Sequence, residues 1–180
     1  LASKAFSQYF KNKGYSLKEE EFYNYTGMKT IQVIDILSKK YSIKNKKKFI
    51  SDIFDIVSEF YAKDLKLVRG VKNYIKESKK KLFIGSNSNK SRIIEGLKIV
   101  DLIKYFSEET IYSFDMVNNP KPYPDIYLKI INDNLLNTEE TIIIEDSSVG
   151  IKAAKSAGVR VFGLTAGTHW HSQRDKTELY

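Results

Sequence analysis

Residues 141–164 read TIIIEDSSVGIKAAKSAGVRVFGL, and this stretch decides the fold. Thr141–Ile144 is an apolar run that stops at two acids, Glu145 and Asp146, and a helical segment follows it. A second apolar run then covers Val159–Leu164. Two runs that are apolar on both faces, joined by a helix, predict neighbouring parallel strands of a buried sheet with a right-handed crossover.

The same alternation of strand and helix extends back to about residue 68. Leu82–Gly85 and Thr110–Phe114 are two further strand candidates. Helical segments are predicted to start near Val71, Lys90, Tyr123 and Ser147. Residues 68–180 therefore predict an α/β core domain built on a parallel sheet.

Residues 1–67 differ, because their periodicity is helical throughout. Apolar residues recur at the spacing of amphipathic helices, for example at Phe6, Phe10, Phe49 and Ile53. This half of the chain predicts a small helical bundle.

Composition excludes several classes of protein. The 180 residues contain no cysteine, which excludes disulfides and thiolate metal sites. They also contain no apolar run of the ~18 residues needed to span a bilayer, so no membrane partner is expected. The absence of cysteine agrees with the expected cytoplasmic location. The net charge of +8 comes from lysines spread along the chain, so a nucleic-acid partner is not expected.

Polar residues follow the first strand candidate, at the strand end where ligands of parallel α/β sheets bind. Ser86 and Asn87 offer a hydroxyl and an amide, which suit a phosphate oxygen. An ordinary helix N-cap turn would use the same residues. Both interpretations remain open for this segment alone.

Lys121 stands between two prolines in Asn119–Asp125, a segment that holds all three prolines of the chain. Proline restricts the backbone on either side, and a fixed ammonium group loses less entropy when it binds a phosphoryl group. The alternative is an incidental surface lysine in a proline-rich loop. The concentration of prolines favours a functional lysine.

Glu145 and Asp146 end a buried strand as adjacent carboxylates. They repel one another, and a cation relieves the repulsion; Mg²⁺ is favoured because it prefers hard oxygen ligands. The alternative is a pair of acids at a helix N-terminus. With Ser86 and Lys121 they predict a site for phosphate and magnesium, although no remaining residue at a strand end is a convincing nucleophile.

These residues resemble the motifs of the haloacid dehalogenase-like hydrolases, in the branch of β-phosphoglucomutase and phosphoglycolate phosphatase. The resemblance rests on Ser86-Asn87, on Lys121-Pro122, and on the pattern EDS…G…AA…AG over residues 145–158. It implies a Rossmann-like core with an α-helical cap, and the helical first half is similar to that cap. The family's first motif, an Asp-x-Asp-Gly strand end, is absent from the chain and is expected shortly before Leu1.

The resemblance also implies roles. An aspartate of the absent first strand would attack phosphorus, and a second one would act as general acid and base. Ser86 and Asn87 would bind phosphoryl oxygens, Lys121 would neutralise the developing charge, and Asp146 and Glu145 would hold Mg²⁺. Ser86 and Lys121 are thus the catalytic residues expected within the chain, which alone is expected to be inactive and to bind magnesium weakly.

The substrate expected from the resemblance is a small phosphorylated metabolite, most plausibly a sugar phosphate. Lys29, between the cap helices, is a candidate substrate contact or a solvated lysine. His169 and His171 are expected to lie in a loop near the substrate or in solvent, and a metal site is the less favoured alternative. A phosphosugar mutase and a catalytically inactive relative are the alternatives, metal-free dehalogenation is disfavoured by the acidic pair, and a monomer is expected.

Overall fold

The computed structural model describes residues 2–15, 17, 19–25, 28 and 30–166. The chain divides into two compact units between Lys66 and Leu67. In the described part, no helix is long and apolar enough to cross a bilayer.

The first unit is helical. It contains α1 (Ala2–Asn12), a 3-10 segment (Glu19–Tyr25), α2 (Thr30–Lys40) and α3 (Lys46–Asp64). Its core is rich in aromatic side chains, because Phe6, Phe10 and Phe49 are fully buried and pack against one another. The Asn45 side chain caps α3 by accepting from Lys48 N at 3.0 Å.

The second unit alternates strands and helices, as its sequence pattern predicts. Its helices and strands, in chain order, are α4 (Val71–Glu77), β1 (Ile84–Ser86), α5 (Lys90–Ile99), β2 (Ile111–Ser113), α6 (Asp125–Asp133), β3 (Ile142–Glu145), α7 (Ser148–Ser156) and β4 (Arg160–Gly163). Short 3-10 segments lie at Ile103–Tyr105, Glu108–Thr110, Phe114–Met116 and Thr138–Glu140. Each predicted strand is present, with ends that differ by at most two residues.

Among the described residues, all strand pairings are parallel, but the strands form two separate two-stranded sheets. β1 pairs with β2, in a register that sets Ser86 opposite Ser113, and β3 pairs with β4, with Glu145 opposite Gly163. The predicted α/β core with parallel strands is confirmed. Its strands form two pairs instead of one continuous sheet, since β1 and β3, which end at the candidate site, are not hydrogen-bonded to each other.

Helices α6 and α7 pack together beside the strands. Ile126 and Ile130 of α6 share a core with Ala153 and Ala154 of α7. Gly85 lets α6 approach β1 closely, since a Cβ there would lie 3.1 Å from Ile130 Cδ1. This packing brings the start of α6 next to the ends of β1 and β3, where the candidate site lies.

One face of the β3–β4 pair is open. Ile142 and Ile144 of β3 are 52% and 57% exposed, and Phe162, the partner of Ile144 on β4, is 55% exposed. Ile143 and Glu145 alternate with them and are buried. The second unit thus leaves one apolar sheet face in contact with solvent.

Candidate active site

Lys121 joins the ends of the two sheets. Its Nζ donates to Gly85 O of β1 at 3.0 Å and forms an ion pair with Glu145 Oε1 of β3. The Lys121 side chain is 5% exposed and that of Glu145 is 8% exposed. The ammonium group is therefore fixed between two strand ends, as the restricted proline segment predicts.

The backbone of Lys121 is held by Asn87. Lys121 N donates to Asn87 Oδ1, and Asn87 Nδ2 donates to Lys121 O, both at 3.0 Å. The far end of the same loop is tied to α6, because Asn119 N and Nδ2 donate to Asp125 Oδ2 at 3.1 and 3.0 Å. Fixing both ends of the loop leaves the Lys121 side chain few alternative positions.

The Glu145 carboxylate accepts from five donors. Oε1 accepts from Lys121 Nζ and from Tyr127 OH at 2.9 Å. Oε2 accepts from Asp146 N and Ser147 N at 3.0 Å and from Ser147 Oγ at 2.9 Å. A carboxylate has about four lone-pair sites, so this one is saturated.

Gly150 gives the Glu145 carboxylate its space. A Cβ at position 150 would overlap the Glu145 carboxyl group. Ser147 caps α7 at the same place, because its Oγ accepts from Gly150 N at 3.1 Å. Glycine at position 150 is therefore required by the Glu145 carboxylate.

The charges at the site stabilise one another. Burial would raise the pKa of Glu145, but the Lys121 charge and the Ser147 hydrogen bonds outweigh burial and hold that pKa below its ordinary value. Burial and the Glu145 charge raise the pKa of Tyr127, so its hydroxyl remains a donor. The arrangement is thus an ionised carboxylate surrounded by donors.

Ser86 and Asp146 complete the set of residues predicted from the sequence. Ser86 Oγ accepts from Ser88 N at 3.1 Å, which orients the hydroxyl at the end of β1. Asp146 is exposed, although its neighbours Glu145 and Ser147 are buried. An exposed carboxylate one residue after the anchor of Lys121 can contact a cation or a ligand from solvent.

The structure brings five of the six predicted site residues together: Ser86, Asn87, Lys121, Glu145 and Asp146. Lys29, the sixth, lies outside the described residues, as do His169 and His171. Two of the five have a chemistry that the sequence does not reveal. The Asn87 amide holds the Lys121 backbone, and the Glu145 carboxylate anchors the Lys121 ammonium.

The fit of these residues to Mg²⁺ is partial. Glu145 is saturated by protein donors, so Asp146 is the carboxylate of the predicted pair that suits a metal. In the described part of the chain, no group of three or more His, Cys, Asp or Glu side chains could hold a metal ion. The described residues supply one hard oxygen ligand and not a complete set.

Tyr127 and Ser147 belong to the site but are not predicted from the sequence. Ser147 follows the acidic pair directly, so a helix N-cap signal is present there. Tyr127 gives no such signal, because a tyrosine on an apolar helix face is typical of a core residue. Only the fold shows that its hydroxyl reaches Glu145.

Comparison with known proteins gives a consistent answer. The profile of the family described as haloacid dehalogenase-like hydrolase matches residues 1–164. A phosphorylated carbohydrates phosphatase of Thermotoga maritima is 32% identical over 148 residues, which are 82% of this chain and 65% of that protein. A 6-phosphogluconate phosphatase of Escherichia coli is 22% identical over 94% of this chain and 77% of that protein.

Solved structures show the same fold. A crystal structure from Thermotoga maritima, provisionally described as a β-phosphoglucomutase, superposes with a TM-score of 0.77 at 27% identity. The match covers 99% of this chain and 82% of the other. The chain thus spans about two thirds to four fifths of the length of these three proteins, with the first curated relative at 65%.

Proposed function

The chain belongs to the haloacid dehalogenase-like hydrolase family, and we propose that it forms most of a magnesium-dependent phosphatase acting on small phosphorylated metabolites. A sugar phosphate is the proposed substrate, because the similar curated proteins are named as phosphatases of phosphorylated carbohydrates and of 6-phosphogluconate. The observation that carries the proposal is the fixed Lys121 ammonium between the ends of β1 and β3.

Lys121 is the proposed electrostatic catalyst. An ammonium has three hydrogen-bond donors, and within the described part of the chain two of them go to Gly85 O and Glu145 Oε1. The remaining donor can bind a phosphoryl oxygen. Because the ammonium is held in place before the substrate arrives, it stabilises developing negative charge without reorganisation.

Ser86 is the proposed phosphate ligand. Its Oγ accepts from Ser88 N at the end of β1, and its hydroxyl is proposed to donate to a phosphoryl oxygen there. Asn87 is proposed to act indirectly, because its amide already pairs with the backbone of Lys121. Ser86 is thus proposed to bind phosphate and Asn87 to position Lys121, although the sequence predicts phosphate binding by both.

Asp146 is the proposed magnesium ligand within this chain, and Glu145 is proposed to hold Lys121 instead. When bound, the ion would neutralise charge on the phosphoryl group. The chain's own contribution is the placement of the Asp146 carboxylate one residue from the anchor of Lys121. The other ligands would come from the substrate, water and the nucleophile.

The nucleophile is proposed to be an aspartate on a strand that precedes Leu1 in the full-length protein. Support comes from β1 and β3, which do not pair with each other although Lys121 contacts both. A carboxylate at the end of that strand would be next to Lys121. The proton of the leaving group would be handled by the second aspartate of the family motif.

The helical unit, residues 1–66, is proposed to act as the cap that reads the leaving group. Support comes from its separate aromatic core and from the family match, which begins at residue 1. Lys29 remains a proposed substrate contact. A small phosphorylated molecule is the proposed partner, and a monomer in the cytoplasm is the proposed state.

The test uses the protein expressed from its full reading frame. Phosphate release from a panel of phosphorylated sugars and acids is measured with Mg²⁺ and with excess chelator. We expect magnesium-dependent release that is lost in Lys121→Met and kept in Lys129→Met, a matched lysine on α6. No release from any substrate by the folded full-length protein would overturn the proposal.

The same assay separates the alternative functions. Phosphorus NMR of the reaction distinguishes free phosphate from an isomerised phosphosugar, which a mutase would form. A folded protein that binds phosphorylated ligands without either product would be an inactive relative.

A further inference from the structure

Tyr127 contacts both members of the buried ion pair. Its hydroxyl donates to Glu145 Oε1 at 2.9 Å, and its ring centroid lies 4.7 Å from Lys121 Nζ. The side chain is 6% exposed and lies in the first turn of α6, six residues after Lys121. Neither the sequence motifs nor the proposed mechanism gives this residue a part.

We propose that Tyr127 is a positioning residue that sets the location of the Lys121 ammonium by fixing Glu145. This inference rests on the proposed phosphatase function and adds a residue to its site. Glu145 Oε2 is held by the backbone of Asp146 and by Ser147, whereas Oε1 is shared between Lys121 and Tyr127. Without the Tyr127 hydroxyl, Lys121 Nζ would be the remaining donor to Oε1, and this oxygen would lose the contact that positions it independently of Lys121.

The ring contributes a second constraint. Its π-face attracts the ammonium from the side of α6, while Gly85 O accepts from the same ammonium on β1. The ring lies directly beside β1, because a Cβ at position 85 would be in van der Waals contact with Tyr127 Cε1, at 3.4 Å. Lys121 is thus held by a carboxylate, a carbonyl and a ring.

Tyr112 is a second buried tyrosine of the same core, and its hydroxyl has a different hydrogen-bond partner. It is 4% exposed and belongs to the same hydrophobic cluster as Tyr127. Its hydroxyl accepts from Asn134 Nδ2 at 2.9 Å, away from the ion pair. Tyr112→Phe is therefore a matched control that removes a buried, hydrogen-bonded hydroxyl from the same core.

The first test compares Tyr127→Phe and Tyr112→Phe in the full-length enzyme. We expect Tyr127→Phe to lower kcat about tenfold, the size of one lost hydrogen bond to a charged group, with KM changed less than about twofold. Tyr112→Phe should leave both constants near those of the wild type. Ile130→Val, which loosens the same helix without touching the hydroxyl, shows whether lower stability alone reduces kcat.

The second test does not depend on catalysis. Brief treatment of the folded protein with acetic anhydride, followed by peptide mass spectrometry, gives the acetylation rate of Lys121 relative to exposed Lys129. We expect Tyr127→Phe to acetylate Lys121 several times faster than wild type or Tyr112→Phe. Loss of the proposed phosphatase activity would leave this readout unchanged, so the two proposals can fail separately.

Equal acetylation of Lys121 in the wild type, Tyr127→Phe and Tyr112→Phe would overturn the inference. So would an equal loss of kcat in Tyr127→Phe and Ile130→Val at matched stability, because the effect would then come from packing. If the full-length wild type releases no phosphate, the acetylation rates alone decide the role of Tyr127.

Discussion

Two clusters of lysine and acid in the α/β unit have similar chemistry and opposite surroundings. Asp101 accepts from Lys72 Nζ and from Lys104 Nζ, both at 3.0 Å, with all three side chains about half exposed. Lys121 and Glu145 form one pair in which both side chains are nearly inaccessible. Both clusters hold the pKa of the acid below its ordinary value.

The two clusters differ in whether water or protein groups satisfy the hydrogen bonds of the acid. Water can replace any partner of Asp101, and such exposed pairs contribute little to folding. Water has little access to Glu145, so protein groups must satisfy its lone pairs, and Tyr127, Ser147 and the backbone do so. Burial turns an ordinary ion pair into a site whose geometry is fixed by its neighbours.

Removal of the buried cation should have the largest effect. Lys121→Met leaves the Glu145 carboxylate buried without its counter-ion, which should cost about 3–5 kcal/mol of unfolding free energy. Denaturant titration of the variant and of Lys129→Met, whose lysine forms an exposed pair with Asp133, measures the contrast. Similar midpoints for the two variants would show that the buried pair is no more costly to break than an exposed one.

The second-largest effect is expected at low pH, where the stability contributed by the buried Glu145 should be lost. A lowered pKa means that the folded state favours the ionised carboxylate, so the stability from Glu145 is present above its ordinary pKa of 4.5. That stability is lost as pH falls through the lower folded-state pKa. Glu145→Gln lacks it throughout, so its gap to wild type, on the order of 3 kcal/mol at neutral pH, should close below pH 4.5.

Denaturant titrations of both proteins between pH 7 and pH 3 give this comparison. A gap that stays constant over the whole range would contradict the lowered pKa.

Gly150→Ala should have an intermediate effect and should lower the free energy of unfolding, whereas the same change in most helices raises it. In an ordinary helix interior this change stabilises by up to about 1 kcal/mol. Here the added Cβ overlaps the Glu145 carboxyl group, so a cost of about 1–3 kcal/mol is expected from overpacking. In a Glu145→Ala background the overlap is absent and the same change should cost much less, which a double-mutant cycle measures.

Asp101→Asn should have the smallest effect. The substitution removes the negative charge shared by Lys72 and Lys104, but the groups are solvated and the pairs are screened by salt. We expect a denaturation midpoint close to that of wild type at 0.15 M salt. A loss comparable to that of Lys121→Met would remove the distinction between the clusters.

Much of the α/β unit is predictable from sequence because strand signals are local. The four apolar runs and their order identify the strands, and the polar residues after them identify the site edge. Pairing is harder to predict, because it depends on neighbours in space. Nothing in Leu82–Gly85 or Thr141–Ile144 shows that the strands form two sheets instead of one.

The site divides in the same way. Residue type and position predict that Ser86, Lys121 and Asp146 meet at one edge. They do not predict which polar group is committed to another protein group, as the amide of Asn87 and the carboxylate of Glu145 are. In the helical unit, residues 19–25 form a 3-10 segment. Helical periodicity does not predict this, because over two turns it does not distinguish 3-10 from α-helical hydrogen bonding.

The hydrogen bonds around Asn87 also bear on how this protein ages. Asparagine followed by serine is prone to deamidation, which begins when the next backbone nitrogen attacks the side-chain amide. Here the Asn87 amide is held by Lys121, and Ser88 N is turned toward Ser86 Oγ. We therefore expect this Asn-Ser pair to deamidate more slowly in the folded protein than in the unfolded chain.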